Sequence, residues 1–356
     1  YYISQKDHDA ALDEYQSILQ VDPEFVPAML KAATLHEFMK DDNLAETLYQ
    51  RAAESSDPRG CLALAFFQQR KGDNELALQT LKEGLNSNPD SPEIVVVYAE
   101  LLKTRGNYDE AISQYGHLEK LRPGTGKPLL LNAFLSKGDF TAAEEIANQV
   151  LTDDSYSVQG YLFKSAIHER RSEWKLAENV IQRGITATDN NIQLRLKLAQ
   201  LYTRSGAYDD ALNIYNIILQ DKPNQAPVLF AKAAIYDTKG DKKQAEKLYD
   251  EVLDIDENNA LALNNLAVLM LDVYGDNKRA LELATKAFRQ APNIPNIIDT
   301  LGYALLKNGQ IEDSIAFLEK ASNLVPEENA VQLHLAEAYK AAGRYDEAIA
   351  SLTSVR

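Results

Sequence analysis

Hydrophobic positions in this chain recur at steps of three and four residues, stop, and start again. Residues 192–225 show one cycle: Leu194, Leu198, Leu201 and Tyr202 mark one face of a first helix, and Ala211, Leu212, Tyr215, Ile218 and Leu219 mark one face of a second. Between them Ser205-Gly206 ends the first helix, because glycine accepts the left-handed conformation found at helix ends. Lys222-Pro223 ends the second, since the residue before proline is pushed out of the helical region. The pattern predicts a helix-turn-helix hairpin whose second helix starts at about Tyr208.

The same punctuation returns along the chain. Glycine marks the turn within the hairpin at Gly72, Gly106, Gly138, Gly206, Gly240, Gly275, Gly309 and Gly343, and proline marks the exit at Pro23, Pro89, Pro123, Pro223, Pro292 and Pro326. A small residue recurs at Ala11, Ala45, Ala77, Ala111, Ala143, Ala177, Ala211, Ala245, Ala280, Ser314 and Ala348, at intervals of 32 to 35 residues. Such a period belongs to stacked supersecondary units that build one continuous core from neighbour contacts. The small slot is expected where the two helices of a hairpin come closest. One array over 1–356 results, with a partial unit at 1–25 and full units at 26–57, 58–91, 92–123, 124–157, 158–191, 192–225, 226–259, 260–294, 295–328 and 329–356. Ser172 in a turn, Ser155 and Asp189 at exits, and one extra residue near Tyr274-Gly275 depart from the pattern.

In the unit 192–225, Ala199, Tyr202, Gly206, Tyr208, Ala211, Tyr215 and Pro223 fall at positions 8, 11, 15, 17, 20, 24 and 32. This resembles the tetratricopeptide repeat, and the resemblance covers essentially the whole chain. It implies an all-α, right-handed superhelical solenoid of hairpins, in which positions 2, 5, 6, 9, 12 and 13 of each first helix face a concave groove. Position 5 reads Leu30, Leu62, Val96, Pro128, Leu162, Leu196, Phe230, Asn264, Asp299 and Leu333; eight of the ten are apolar, more than a purely solvated surface needs. The candidate groove is therefore Leu62, Phe66, Val96, Val97, Leu129, Leu162, Phe163, Leu196 and Phe230, and its ligand a protein or peptide with apolar anchors. The competing reading packs position 5 half-buried against the neighbouring helix.

Two specificities of the resembled family can be tested by residue. The carboxylate clamp needs lysine, asparagine and arginine at fixed groove positions in three successive units, and no window supplies them, although Lys197 and Arg204 fit in part. The asparagine ladder needs asparagine repeated at position 6, where only Asn265 qualifies.

Charge narrows the partner. A formal net charge of -16 opposes nucleic acid and anionic lipid, both of which demand a basic surface. The acidity is read as keeping a long surface soluble, with a cationic ligand as the alternative. No apolar run approaches the roughly 18 residues of a membrane helix, so no insertion is expected. Cys61 is the single cysteine, which excludes an internal disulfide and a multi-cysteine zinc site.

Apparent chemistry dissolves on inspection. Gly124-Thr125-Gly126-Lys127 lacks the distal glycine of a phosphate-binding loop, and Pro128 stands where Ser or Thr is required. Asp254 to Asn259 opens like a calcium loop but has Asn259 where glycine is needed and Asn265 where glutamate is needed. His8, His36, His117, His168 and His334 lie in different units, and only His334 with Glu337 shares a helical face. Trp174 reads as core. No reaction, cofactor or metal is implied, and the chain reads as a non-catalytic scaffold.

Leu263-Asn264-Asn265-Leu266-Ala267, Arg279 to Ala284 and Asp299-Thr300-Leu301-Gly302 resemble the C-terminal repeats of bacterial envelope proteins, including lipoproteins of exosortase and exopolysaccharide systems. That resemblance implies a periplasmic or outer-membrane-associated scaffold in export. The alternatives are a cytoplasmic adaptor and the substrate-recognition region of a larger enzyme such as a glycosyltransferase. The chain starts at Tyr1 within a unit and stops after Ile349 and Leu352 without a polar cap. It is therefore expected to be a piece of a longer protein, with ends that favour head-to-tail self-association.

Overall fold

The computed structural model describes residues 8–353, and among them every regular element is helical. Two compact units divide the chain, Tyr1–Asp189 and Asn190–Arg356. The first holds α1 (His8–Val21), α2 (Val26–Phe38), α3 (Asp42–Ala53), α4 (Pro58–Lys71), α5 (Asn74–Ser87), α6 (Pro92–Thr104), α7 (Tyr108–Leu121), α8 (Gly126–Lys137), α9 (Phe140–Asp153), α10 (Val158–Arg170) and α11 (Trp174–Ala187). The second holds α12 (Ile192–Arg204), α13 (Tyr208–Asp221), α14 (Ala226–Thr238), α15 (Lys242–Ile255), α16 (Ala260–Leu269), α17 (Asn277–Gln290), α18 (Pro295–Lys307), α19 (Ile311–Leu324), α20 (Asn329–Ala341) and α21 (Tyr345–Thr353). The all-α class and the helix-turn-helix hairpins expected from the sequence are what the structure contains. The helix expected from Tyr1 falls in part outside the described residues.

Local chemistry sets the helix ends. Asp57, Ser91, Ser157, Asn191 and Asn259 each accept a hydrogen bond from an amide of the first turn, and Pro58, Pro92 and Pro295 occupy first helical positions where no amide donor is missed. The hairpin turn requires positive φ. Gly72 adopts +89°, and a Cβ there would meet nothing within 4 Å, so backbone conformation rather than space calls for glycine. Two units lack that glycine, and Lys40 and Ser172 take φ of 64° and 60° in its place.

The small slot is closed in every hairpin. Ala45, Ala77, Ala111, Ala143, Ala177, Ala211, Ala245, Ala280 and Ser314 are all 0% exposed. Facing helices carry a second set of small residues, among them Ala65, Ala99, Ala199 and Gly302. At Gly302 an added Cβ would lie 2.6 Å from Leu318 Cγ, so α18 and α19 approach too closely for any side chain. Larger residues fill the layers above and below, as where Tyr98, Leu102 and Tyr115 pack with Leu81 and Ile94 in the first unit.

The extra residue of 260–294 has a structural form. Helix α16 runs into a π turn at Met270–Tyr274, and the amide of Asp276 then reaches back to Met270 O at 2.9 Å. One residue is absorbed within the helix, and α17 starts in the usual register.

Candidate partner-binding faces of the first helices

The expected groove residues separate by burial. In the first unit Leu62, Val96, Val97, Leu129 and Leu162 are half-buried, and Leu62, Val97 and Leu129 pack against the core around Tyr98 and Leu102. Phe163 is only 4% exposed and sits among Leu131, Leu135 and Ile167, so its ring is a packing element with no free face. Phe66 is 43% exposed. In the second unit Leu196 is half-buried against the Ala199, Ala211 and Tyr215 cluster, and Phe230 lies 5.6 Å from the Tyr249 ring.

Phe66 does not stand alone. With Leu30, Thr34, Phe38 and Ala63 it lines a cavity of about 640 Å³ between α2 and α4, floored by Tyr49 of α3. Phe38, which is 69% exposed, is not among the expected groove residues. It occupies position 13, a groove-facing slot that nine of the ten units fill with something other than a large apolar residue, so the apolar stripe at position 5 does not include it. A polar clamp closes the other side: Arg70 Nε and Nη2 each donate to Glu37 at 2.7 Å, and Tyr49 Oη donates to the same carboxylate at 3.2 Å. The Arg70 guanidinium, chiefly through its hydrogen bonds, holds the Glu37 carboxyl below the ordinary glutamate value. Burial pushes the Tyr49 phenol up. The site offers an apolar recess beside a fixed, oriented ion pair.

Further along the same face, α6 presents Glu100 at position 9. It accepts from Tyr115 Oη at 2.5 Å and from Lys103 Nζ at 2.7 Å, and Lys103 reaches Asn132 of α8 at 3.4 Å. Burial followed by the Glu100 hydrogen bond raises the Tyr115 pKa, so this phenol stays a donor.

The segments that mimic catalytic or metal motifs are internally bonded. Glu119 accepts from the amides of Gly124, Gly126 and Lys127 at 2.8, 2.8 and 3.0 Å, which fills the position a phosphate would take. Asn259 caps α16 through the Ala262 amide, and Asp256 accepts from the Asn258 amide, as a helix end and a cap require. His334 binds Asp299 of the preceding hairpin at 2.9 Å, whereas Glu337 pairs with Lys307 at 3.2 Å. The His334 and Glu337 pairing suggested by their shared face is thus replaced by two contacts across hairpins. Trp174 opens α11 half-buried, short of the full burial expected for a core residue. No helix among the described residues is long and apolar enough to cross a membrane.

Hairpins with a closed small slot and glycine turns define a helical repeat protein. The Tetratricopeptide repeat profile matches residues 62–124, 226–259 and 305–356, and this chain is a tetratricopeptide repeat protein. A TPR repeat-containing protein of Methanocaldococcus jannaschii is 24% identical over 296 residues, which cover 80% of this chain and 49% of that protein. Cellulose synthase operon protein C of Pseudomonas fluorescens is 21% identical over 300 residues, covering 79% of this chain and 24% of its own length. The chain thus spans about half the first relative and about a quarter of the second. A solved tetratricopeptide repeat protein from Parabacteroides merdae aligns with a TM-score of 0.48 at 19% identity, covering 62% of this chain and 87% of that one. Tetratricopeptide repeats serve as protein-interaction scaffolds.

Proposed function

We propose that this chain is a non-catalytic scaffold that seats an apolar side chain of a protein or peptide partner in the cavity between α2 and α4. The observation that carries this reading is the pairing of Phe38 and Phe66, two aromatic rings left exposed around one recess while the neighbouring position-5 residues are half-buried. Large apolar side chains gathered at one exposed spot mark an interaction site more often than scattered ones do. The Glu37–Arg70 pair supplies a polar rim that orients an incoming backbone.

The test is a binding measurement. A peptide library displayed on phage is selected against the wild-type chain, and the best peptide is titrated by calorimetry into wild type and into Phe38→Glu/Phe66→Glu. Both rings are exposed, so the fold is expected to survive, as circular dichroism would check. Loss of most affinity is expected; unchanged affinity in a folded variant rejects the cavity. Phe163→Glu is unsuited to this purpose, because it would place a charge in the core.

The cellular setting proposed is the bacterial envelope, in export of exopolysaccharide or protein. Support comes from the Leu263 to Gly302 resemblance and from similarity to cellulose synthase operon protein C. Fractionation of the tagged full-length protein tests it, and recovery only with cytoplasmic markers would reject it.

A further inference from the structure

The chain carries a formal net charge of -16, yet one recess in its second compact unit is lined by an excess of cations. A cavity of about 460 Å³ lies beside α17, with Lys278, Lys286 and Arg289 in its lining against a single carboxylate, Glu282. The three cations stand at i, i+8 and i+11, a spacing that brings them onto one helix face. All three are exposed, and among the described residues none has its charged group in a hydrogen bond or an ion pair. Neighbouring cations are engaged. Arg279 of the same helix reaches Glu246 and Asp250 of α15 at 3.6 and 3.8 Å, Lys307 pairs with Glu337 at 3.2 Å, and Lys320 donates to Pro292 O at 3.2 Å. Glu282 lies four residues from both Lys278 and Lys286 and can neutralise only one of them at a time, so positive charge is left over.

The rest of the lining is quiet. Leu281 and Thr285 are half-buried beneath the charged groups, and the Thr285 hydroxyl donates to Leu281 O at 2.7 Å. Asn308, the one lining residue outside α17, directs its Nδ2 to Asn277 O at 2.7 Å and Ala304 O at 2.8 Å. Spacing then selects the kind of anion. Lys278 and Arg289 are roughly 16 Å apart along the axis, farther than one phosphate or carboxylate spans, so the match is a row of anions. Nucleic acid and anionic lipid also present rows, but both demand a basic surface, and this chain is acidic as a whole. We infer that α17 docks an acidic peptide segment of a protein partner, its carboxylates meeting Lys278, Lys286 and Arg289 while its aliphatic groups lie over Leu281 and Thr285. This surface belongs to a different unit from the Phe38 and Phe66 cavity and does not depend on it.

A synthetic peptide tests the inference without the natural partner. A rhodamine-labelled peptide of six Glu-Ala repeats is titrated with the full chain and followed by anisotropy at pH 7.5 in about 50 mM salt, where surface charges are only partly screened. Saturable binding that weakens as salt rises is expected. Lys278→Glu/Lys286→Glu/Arg289→Glu should lose roughly tenfold or more in affinity. Lys82→Glu/Lys120→Glu/Lys222→Glu makes the same change in net charge at exposed lysines elsewhere and should bind like wild type. Should the charge-reversed α17 variant fail to fold, Lys278→Gln/Lys286→Gln/Arg289→Gln replaces it. The inference is overturned by an absence of saturable binding, or by an equal loss of affinity in the α17 variant and the control. Tighter binding of twelve-nucleotide single-stranded DNA or of phosphatidylserine vesicles than of the peptide would also overturn it. So would a dimer, seen by sedimentation of the wild-type chain and abolished by the α17 variant, since the occupant would then be a second copy. Phe38→Glu/Phe66→Glu should leave the acidic peptide's affinity unchanged, which keeps this result apart from that of the other cavity.

Discussion

Arg70 of α4 and Glu37 of α2 meet in a two-pronged pair, both hydrogen bonds at 2.7 Å, across neighbouring hairpins. The guanidinium is half exposed, so the pair adds no more than about 1 kcal/mol to stability. Its pH dependence is still informative. The folded-state pKa of Glu37 is lowered, so the contribution is fully present above the unfolded glutamate value and fades as pH falls through the lower folded value. Glu37→Gln should therefore be less stable than wild type at pH 7, and the two should converge below roughly pH 4. Urea melts across that range check the sign; a gap that widens with acid would contradict it.

Cys61 should be inert in the native protein. Its Sγ is buried and donates to Thr80 O at 3.4 Å, and burial pushes the thiol up to about 11. The thiolate is the reactive form, so modification at pH 8 is expected to be roughly a hundredfold or more slower in buffer than in denaturant. A disulfide reagent followed by absorbance measures both rates, and equal rates would place the thiol at the surface.

The repeat was legible because its marks are local and spaced by the hairpin itself: a glycine turn, a small slot five residues later, a proline exit. Each depends on backbone geometry within a few residues. What was not legible depends on contacts between hairpins. Position 5 could be read either as a binding stripe or as a half-buried contact with the neighbouring helix, and Leu62, Val96, Leu162 and Leu196 are half-buried. Phe163 looks like its neighbours in the sequence and lies inside, while Phe38 escapes notice at position 13 and lies outside. His334 was paired with Glu337 because an i, i+3 spacing is visible in one helix; Asp299 is 35 residues away, and only packing of one hairpin on the next brings it to His334. The extra residue near Tyr274 was visible as a count, but its absorption by a π turn depends on backbone geometry that a count does not specify.

Lys40 and Ser172 hold left-handed conformations in the slot that glycine fills elsewhere. A side chain in that region crowds the following carbonyl, at a cost of roughly 1 to 2 kcal/mol. Glycine relieves it but loses more entropy on folding. Lys40→Gly and Ser172→Gly are expected to stabilise by about 0.5 to 1 kcal/mol each. The mirror change, Gly72→Ala, should destabilise by about 1 kcal/mol although no atom is struck, since a Cβ there meets nothing within 4 Å. If all three variants melted like wild type, the glycine turns would owe nothing to their conformation.

Ser314 is the one hydroxyl in the row of small slots, and its Oγ is buried with no hydrogen-bond partner among the described residues. Alanine fills the ten equivalent positions and brings no unsatisfied group. Ser314→Ala should therefore stabilise by roughly 1 kcal/mol. Ala211→Leu adds volume to a slot that is 0% exposed, and it should destabilise by roughly 1 to 3 kcal/mol. Ala211→Ser separates the two effects, because it adds the polar group with almost no volume. If the slot is limited by space, serine costs far less than leucine; if by polarity, serine costs as much as its alanine replacement gains at 314. Denaturation of the three variants in parallel distinguishes these limits, and a Ser314→Ala that lost stability would show that the hydroxyl has a partner supplied by a bound water.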